Sequence, residues 1–159
     1  MVKLTGIVIT IIAAAFLGIK KYFSLRERYN ILSQIKLSAI QMEGKLRCMC
    51  MPLDECFTES EGVFSVAAQY IKKGLIPQKA VEKACRENEY LTQADKEVIM
   101  RFAKGLSAQD CDGQIANALL LAENIQMQID DARYNLKTKG ALSIKGSILG
   151  GAAIVLLLI

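Results

Sequence analysis

The sequence predicts an all-α protein: an antiparallel helical bundle with two long helices and about four short ones, flanked by N- and C-terminal transmembrane helices. Three observations predict it. Apolar residues recur at steps of three and four through two long stretches, nearly uncharged apolar runs occupy both ends, and no stretch reads as a strand. The expected organisation is a first membrane helix over 1–21, a cytoplasmic helical bundle over 22–140 and a second membrane helix over 141–159.

The 159 residues are 52% hydrophobic, high for a soluble domain of this length. The excess sits at the ends. Leu4 to Ile19 carries no charge, and Ile144 to Ile159 carries only Lys145. At about 1.5 Å per residue each run reaches roughly 24 Å, short of a ~30 Å hydrocarbon core. Lys20, Lys21 and Lys145 can extend their stems and hold their ammonium groups among lipid headgroups. A cleavable signal peptide is the rival reading, since Lys3 precedes an apolar run containing Ala13, Ala14 and Ala15. The run continues past those alanines through Phe16, Leu17 and Ile19, which favours a retained anchor. Gly6 and Gly18 leave room for another helix to approach, so self-association is open.

From Leu25 the pattern becomes amphipathic. Leu25, Leu32, Ile35, Ala39, Met42, Leu46 and Met49 form one seam, with Arg28 at its polar position. Pro52 closes this helix, and Leu53 begins a short one through Phe57. Val63, Phe64, Ala67, Ala68 and Ile71 form the inward face of the next, which ends at Gly74. Pro77 starts another at its tolerated first turn, with Ala80, Val81, Ala84 and Cys85 inward. Thr92 with Asp95 resembles a capping box for the helix carrying Val98, Ile99 and Phe102 to Gly105. From Gly113 a second long helix carries Ile115, Ala118, Ala122, Ile125, Ile129, Ala132 and Leu136 on one seam, a wet helix looking for one partner. Its length nearly equals the ~39 Å of the first, so the two should pair antiparallel. Met42, Met49, Met51, Met100 and Met127 read mostly as seam or core filler.

The formal charge is +4, but its distribution argues against nucleic acid. Between Tyr29 and Ala132 stand 11 basic and 15 acidic side chains. The basic excess lies beside the apolar ends: Lys20, Lys21, Arg26 and Arg28, then Arg133, Lys137, Lys139 and Lys145. The positive-inside bias therefore puts the middle in the cytoplasm and both termini outside.

The chain has no histidine, which excludes Ser/His, Cys/His and imidazole-metal sites within it. Five cysteines are an odd number, favouring reduced thiols. Cys48, Cys50 and Cys56 are the one set to test for metal, and Cys48 and Cys50 lie two apart on a helix, so they point to different faces. No Gly-rich phosphate loop is present. These residues supply no catalytic, cofactor-binding or metal-ligating set, and an enzyme is not expected. A thiol metal or redox sensor, a small channel subunit and a generic membrane-anchored adaptor are the other readings.

Gly6 and Gly18, Arg28, Leu32, Glu43, then Pro52-Leu53 with Glu55, are followed by Phe102, Leu106, Asp110, Gln114 and Ile115. Asp131-Ala132-Arg133 and Gly146, Gly150 and Gly151 complete the order. Over essentially the whole chain this resembles the stage III sporulation protein AB family, with Ser107 where that family usually has glycine and Cys56 where it usually has alanine. The resemblance implies a helical domain similar to the F-type platform protein of type II secretion. It implies a mother-cell membrane protein around the forespore, working beside a secretion-type ATPase and the membrane or ring proteins of the sporulation channel complex. On that expectation, Glu55, Glu59, Glu61, Asp110 and Asp112 are candidate partner contacts, unless they serve only as solvated helix-start charges.

Overall fold

The computed structural model describes residues 2–49, 52–106, 110–143, 145–147 and 149–150. Among them every regular element is a helix: α1 Val2–Met49, α2 Leu53–Thr58, α3 Val63–Lys72, α4 Pro77–Glu87, α5 Gln93–Gly105 and α6 Cys111–Asn135, followed by a π-helical segment Leu136–Gly140. The expected two long and four short helices are all present. The chain divides into two compact units, Met1–Tyr29 with Asp131–Ile159 (unit 1) and Asn30–Asp130 (unit 2). Among the described residues no helix is long and apolar enough to cross a membrane. Most side chains of the 4–19 run, and residues 144, 148 and 151–159 of the closing run, lie outside the described residues.

In unit 2 the two seams are buried as their spacing predicts. Leu32, Ile35, Ala39, Met42 and Leu46 of α1 and Ala118, Ala122, Ile125 and Ile129 of α6 are all in the core. Lys36 Nζ donates to Gln126 Oε1 at 2.6 Å, and the Cys111 thiol lies 3.8 Å from the Leu46 carbonyl oxygen. Contact positions that rise along α1 while falling along α6 make the pair antiparallel. Each fully buried Leu, Ile or Met contributes about 1.5–3 kcal/mol, so the seam outweighs the polar contacts beside it.

The short helices begin and end where local chemistry dictates. Pro52 sits before α2, and its carbonyl accepts from the Glu55 and Cys56 amides. Gly74 adopts φ 90°, and after α3 the Gly74 amide donates to Ile71 O and the Leu75 amide to Tyr70 O. This pair of bonds satisfies two of the last helix carbonyls, and the left-handed residue between them favours glycine. Thr92 and Asp95 form the reciprocal capping box at α5, with Asp95 completely buried. Phe64 lies between Phe57 and Phe102, at centroid separations of 5.5 and 5.7 Å, so one aromatic stack ties α2, α3 and α5 together.

Two expectations need correction. The helix α6 has a second partner: Leu121 is buried beside the seam, and Asn117 Nδ2 donates to Phe102 O at 3.0 Å. A Cβ at Gly105 would lie 2.5 Å from Asn117 Nδ2, so glycine lets α5 and α6 approach closely. Met127, read as seam or core filler, is 64% exposed, because the seam residues on either side of it turn its side chain outward.

Unit 1 is built from smaller contacts. Gly18 is buried, and a Cβ there would stand 2.5 Å from Ser147 Oγ and 3.0 Å from the Ser143 carbonyl oxygen. Gly140 meets the Tyr22 ring, whose Cδ2 would lie 3.1 Å from an added Cβ. Arg28 donates to Asp131 Oδ2 at 2.9 Å, and Asn135 donates to Asp131 Oδ1 at 2.9 Å. The wider π turn of Leu136–Gly140 follows directly, carrying the inward positions from Ala132 and Leu136 on to Gly140.

Candidate partner interface

The five acidic candidates all belong to unit 2 and all are exposed. Glu55 lies on α2, Glu59 follows its last residue, and Glu61 precedes Gly62. Asp110 and Asp112 flank the first residue of α6. The last turns of α1 link the two groups: Lys45 Nζ pairs with Glu59 Oε2 at 2.6 Å, while the next residue, Leu46, offers its carbonyl to Cys111. The carboxylates on α2 and at the start of α6 therefore gather where α1 finishes.

They differ in how far they are already engaged. Asp110 Oδ1 accepts the Gly113 amide at 3.0 Å, capping α6 and complementing its dipole. Glu59 is held by Lys45. Glu55, Glu61 and Asp112 enter no ion pair among the described residues. They remain open to an incoming cation, whereas Asp110 and Glu59 have structural work as well.

Gly62 shapes this end. Its φ of 62° favours glycine, and the Gln34 side-chain end 2.7 Å from an added Cβ shows the turn after α2 lying close against α1. Beside it, Gln41, Gly44, Lys45, Cys48 and Glu59 line a shallow open depression. Between α5 and α6 a smaller cleft of about 80 Å³ is lined by Val98, Arg101, Phe102, Asn117, Leu120, Leu121 and Asn124. That volume suits a side chain rather than a cofactor.

Among the described residues the thiols form no metal-binding group. Cys56 is buried and Cys48 exposed, while Cys50 lies outside the described residues. Among the described residues no three His, Cys, Asp or Glu side chains could hold a metal ion together. Burial raises the Cys56 thiol pKa, and burial raises that of Cys85 to about 11. Both are protonated and unreactive at neutral pH, unlike a nucleophilic or metal-binding thiol.

Sequence reasoning passed over the cations of α4. Lys79, Lys83 and Arg86 are exposed at the i, i+4, i+7 spacing that puts them on one helix face. That spacing was visible beside the inward Ala80, Val81, Ala84 and Cys85.

These features define a class: a helical-bundle protein whose distinctive surfaces are charged helix faces and whose described residues bring together no metal-binding cluster. The family model for stage III sporulation protein AB matches residues 3–159, nearly the whole chain. The chain belongs to that family, and a part in sporulation goes with the membership. No curated protein and no solved structure matches it.

Proposed function

We propose that this chain is a non-enzymatic, membrane-anchored component of the sporulation complex between mother cell and forespore, a platform that links a cytoplasmic ATPase to the membrane assembly. One observation carries the anchoring: in unit 1 several of the described large apolar side chains face outward. Phe16 is 67%, Leu17 68%, Leu142 70% and Leu149 70% exposed, while Gly18 and Gly140 are buried. In water this arrangement wastes apolar area; in lipid it is favourable, because helices there associate through small residues and hydrogen bonds rather than by hydrophobic burial. The cations beside the apolar runs support a cytoplasmic middle.

The acidic end of unit 2 receives the ATPase, with Glu55, Glu61 and Asp112 as the open contacts and Glu59 and Asp110 beside them. The helix α1 carries residues of both units and is a covalent link between the acidic end and the anchor. A thiol sensor is disfavoured by the buried, protonated Cys56.

Two measurements test this reading. In sporulating cells the full chain should stay in the membrane fraction after high-salt and alkaline washing; release by either wash overturns the anchor. The variant E55K/E61K/D112K should lose co-purification with the ATPase while staying in that fraction; undiminished recovery removes the docking surface.

A further inference from the structure

We propose that the outer face of α4 docks a second copy of this chain, setting Lys79, Lys83 and Arg86 against the acidic α2 and α6 start of that copy. The assignment goes beyond the ATPase reading and does not depend on it.

Charge within unit 2 is segregated. From Val63 to Gly105 there are eight basic and five acidic side chains, whereas 30–62 and 106–130 together hold three basic and nine acidic. None of the eight cations forms an ion pair among the described residues. The two carboxylates of α4 itself are engaged by neutral donors: Glu82 Oε1 accepts from Gln78 Nε2 at 3.0 Å, and Glu87 accepts the Tyr70 hydroxyl. These carboxylates keep their charge but form no ion pair with Lys79, Lys83 or Arg86, so α4 carries three cations against two carboxylates and a net positive excess.

The same face is partly ordered in advance. Lys83 Nζ stands 4.4 Å and Lys73 Nζ 5.8 Å from the Tyr70 ring centroid, and Lys96 Nζ donates to Arg86 O at 3.1 Å. Cations held over a ring lose less side-chain freedom when an anion arrives. Packing of α4 against α3 and α5 buries Ala80, Val81, Ala84 and Cys85, which turns Lys79, Lys83 and Arg86 outward. Ile76, just before the helix, is 54% exposed and adds apolar area at the rim.

Charge also selects the mode of pairing. Two α4 faces placed together, or two acidic ends, set like charges against each other. A head-to-tail contact sets opposite charges together, and such heterologous contacts close into rings or run on as rows. A copy whose acidic end is covered by its neighbour has no acidic end for the ATPase, so the ATPase would meet the copy at the end of a row.

Sedimentation of the full-length chain, in detergent micelles where it needs them, decides the matter. Self-association is expected at about 0.1 M salt and dissociation at about 1 M, where the screening length falls from about 10 Å to about 3 Å. K79E/K83E and E55K/E61K should each weaken association about tenfold or more, the effect of losing two or three exposed ion pairs. An equimolar mixture of the two variants should regain a one-to-one complex, which misfolded chains could not do. A wild type that stays monomeric at low salt, or a mixture that does not pair, overturns the proposal. So does binding of wild type but not K79E/K83E to anionic vesicles with self-association unchanged, which assigns the face to lipid. K79E/K83E should still co-purify with the ATPase, so this idea and the ATPase reading fail separately.

Discussion

In unit 2 Phe57, Phe64, Leu32 and Ile125 are completely buried, whereas in unit 1 Phe16, Leu17, Leu142 and Leu149 stand outside and glycines and serines make the contacts. Both units contain antiparallel helices of the same chain, yet they are held by different forces. Unit 2 follows the rule for water, in which association is driven by removing large apolar area from solvent. On the membrane anchoring proposed above, unit 1 follows the rule for an apolar medium, in which close backbone approach and side-chain hydrogen bonds decide the contact.

The contrast breaks most sharply at Phe64. Phe64→Ala removes the ring between Phe57 and Phe102 and should cost about 3–5 kcal/mol, read as a lower urea midpoint for loss of helical signal. A loss under about 1 kcal/mol would mean that unit 2 lacks a close-packed core. In unit 1 the damaging change is an enlargement instead. Gly18→Leu must displace Ser147 and the Ser143 backbone, at about 1–3 kcal/mol for overpacking. Gly146→Leu meets nothing within 4 Å and should be neutral. The distance between spin labels at Lys21 and Lys139 should lengthen in the Gly18 variant alone; equal distances in both variants would remove the close contact.

Local signals were legible in the sequence. Pro77, Gly74 and the Thr92–Asp95 box each act within a few residues, and each is found where its chemistry requires. The two seams were legible too, because α1 and α6 repeat one spacing over many turns. What escaped depends on residues distant in the chain. Leu121, three residues after Ala118 and four before Ile125, stands beside the seam and apart from the exposed Leu119 and Leu120 by spacing alone, but that α5 covers this flank depends on residues far away in the chain. The π turn at Leu136–Gly140 places glycine against the Tyr22 ring, more than a hundred residues away in sequence. Among the candidate contacts, position along the chain suggested five equivalent carboxylates. The contacts separate Glu59, paired with Lys45, and Asp110, bonded to the Gly113 amide, from Glu55, Glu61 and Asp112.

The smallest expected effect is invisible at neutral pH. Burial away from water raises the Cys85 thiol pKa from its ordinary value of 9.0 to about 11. A group whose folded pKa lies above its unfolded one favours the folded state fully below the lower value and loses that contribution as pH rises through the higher. The window here runs from pH 9 to about 11. Lysines and tyrosines also titrate there, so the useful quantity is a difference between two proteins. Wild type and Cys85→Ala should show parallel urea midpoints against pH up to about pH 8.5. Above that the wild-type midpoint should fall more steeply, because only its unfolded state gains a thiolate. Parallel curves through the whole range would mean that the Cys85 pocket admits water, and that unit 2 is less dry than its buried aromatic stack implies.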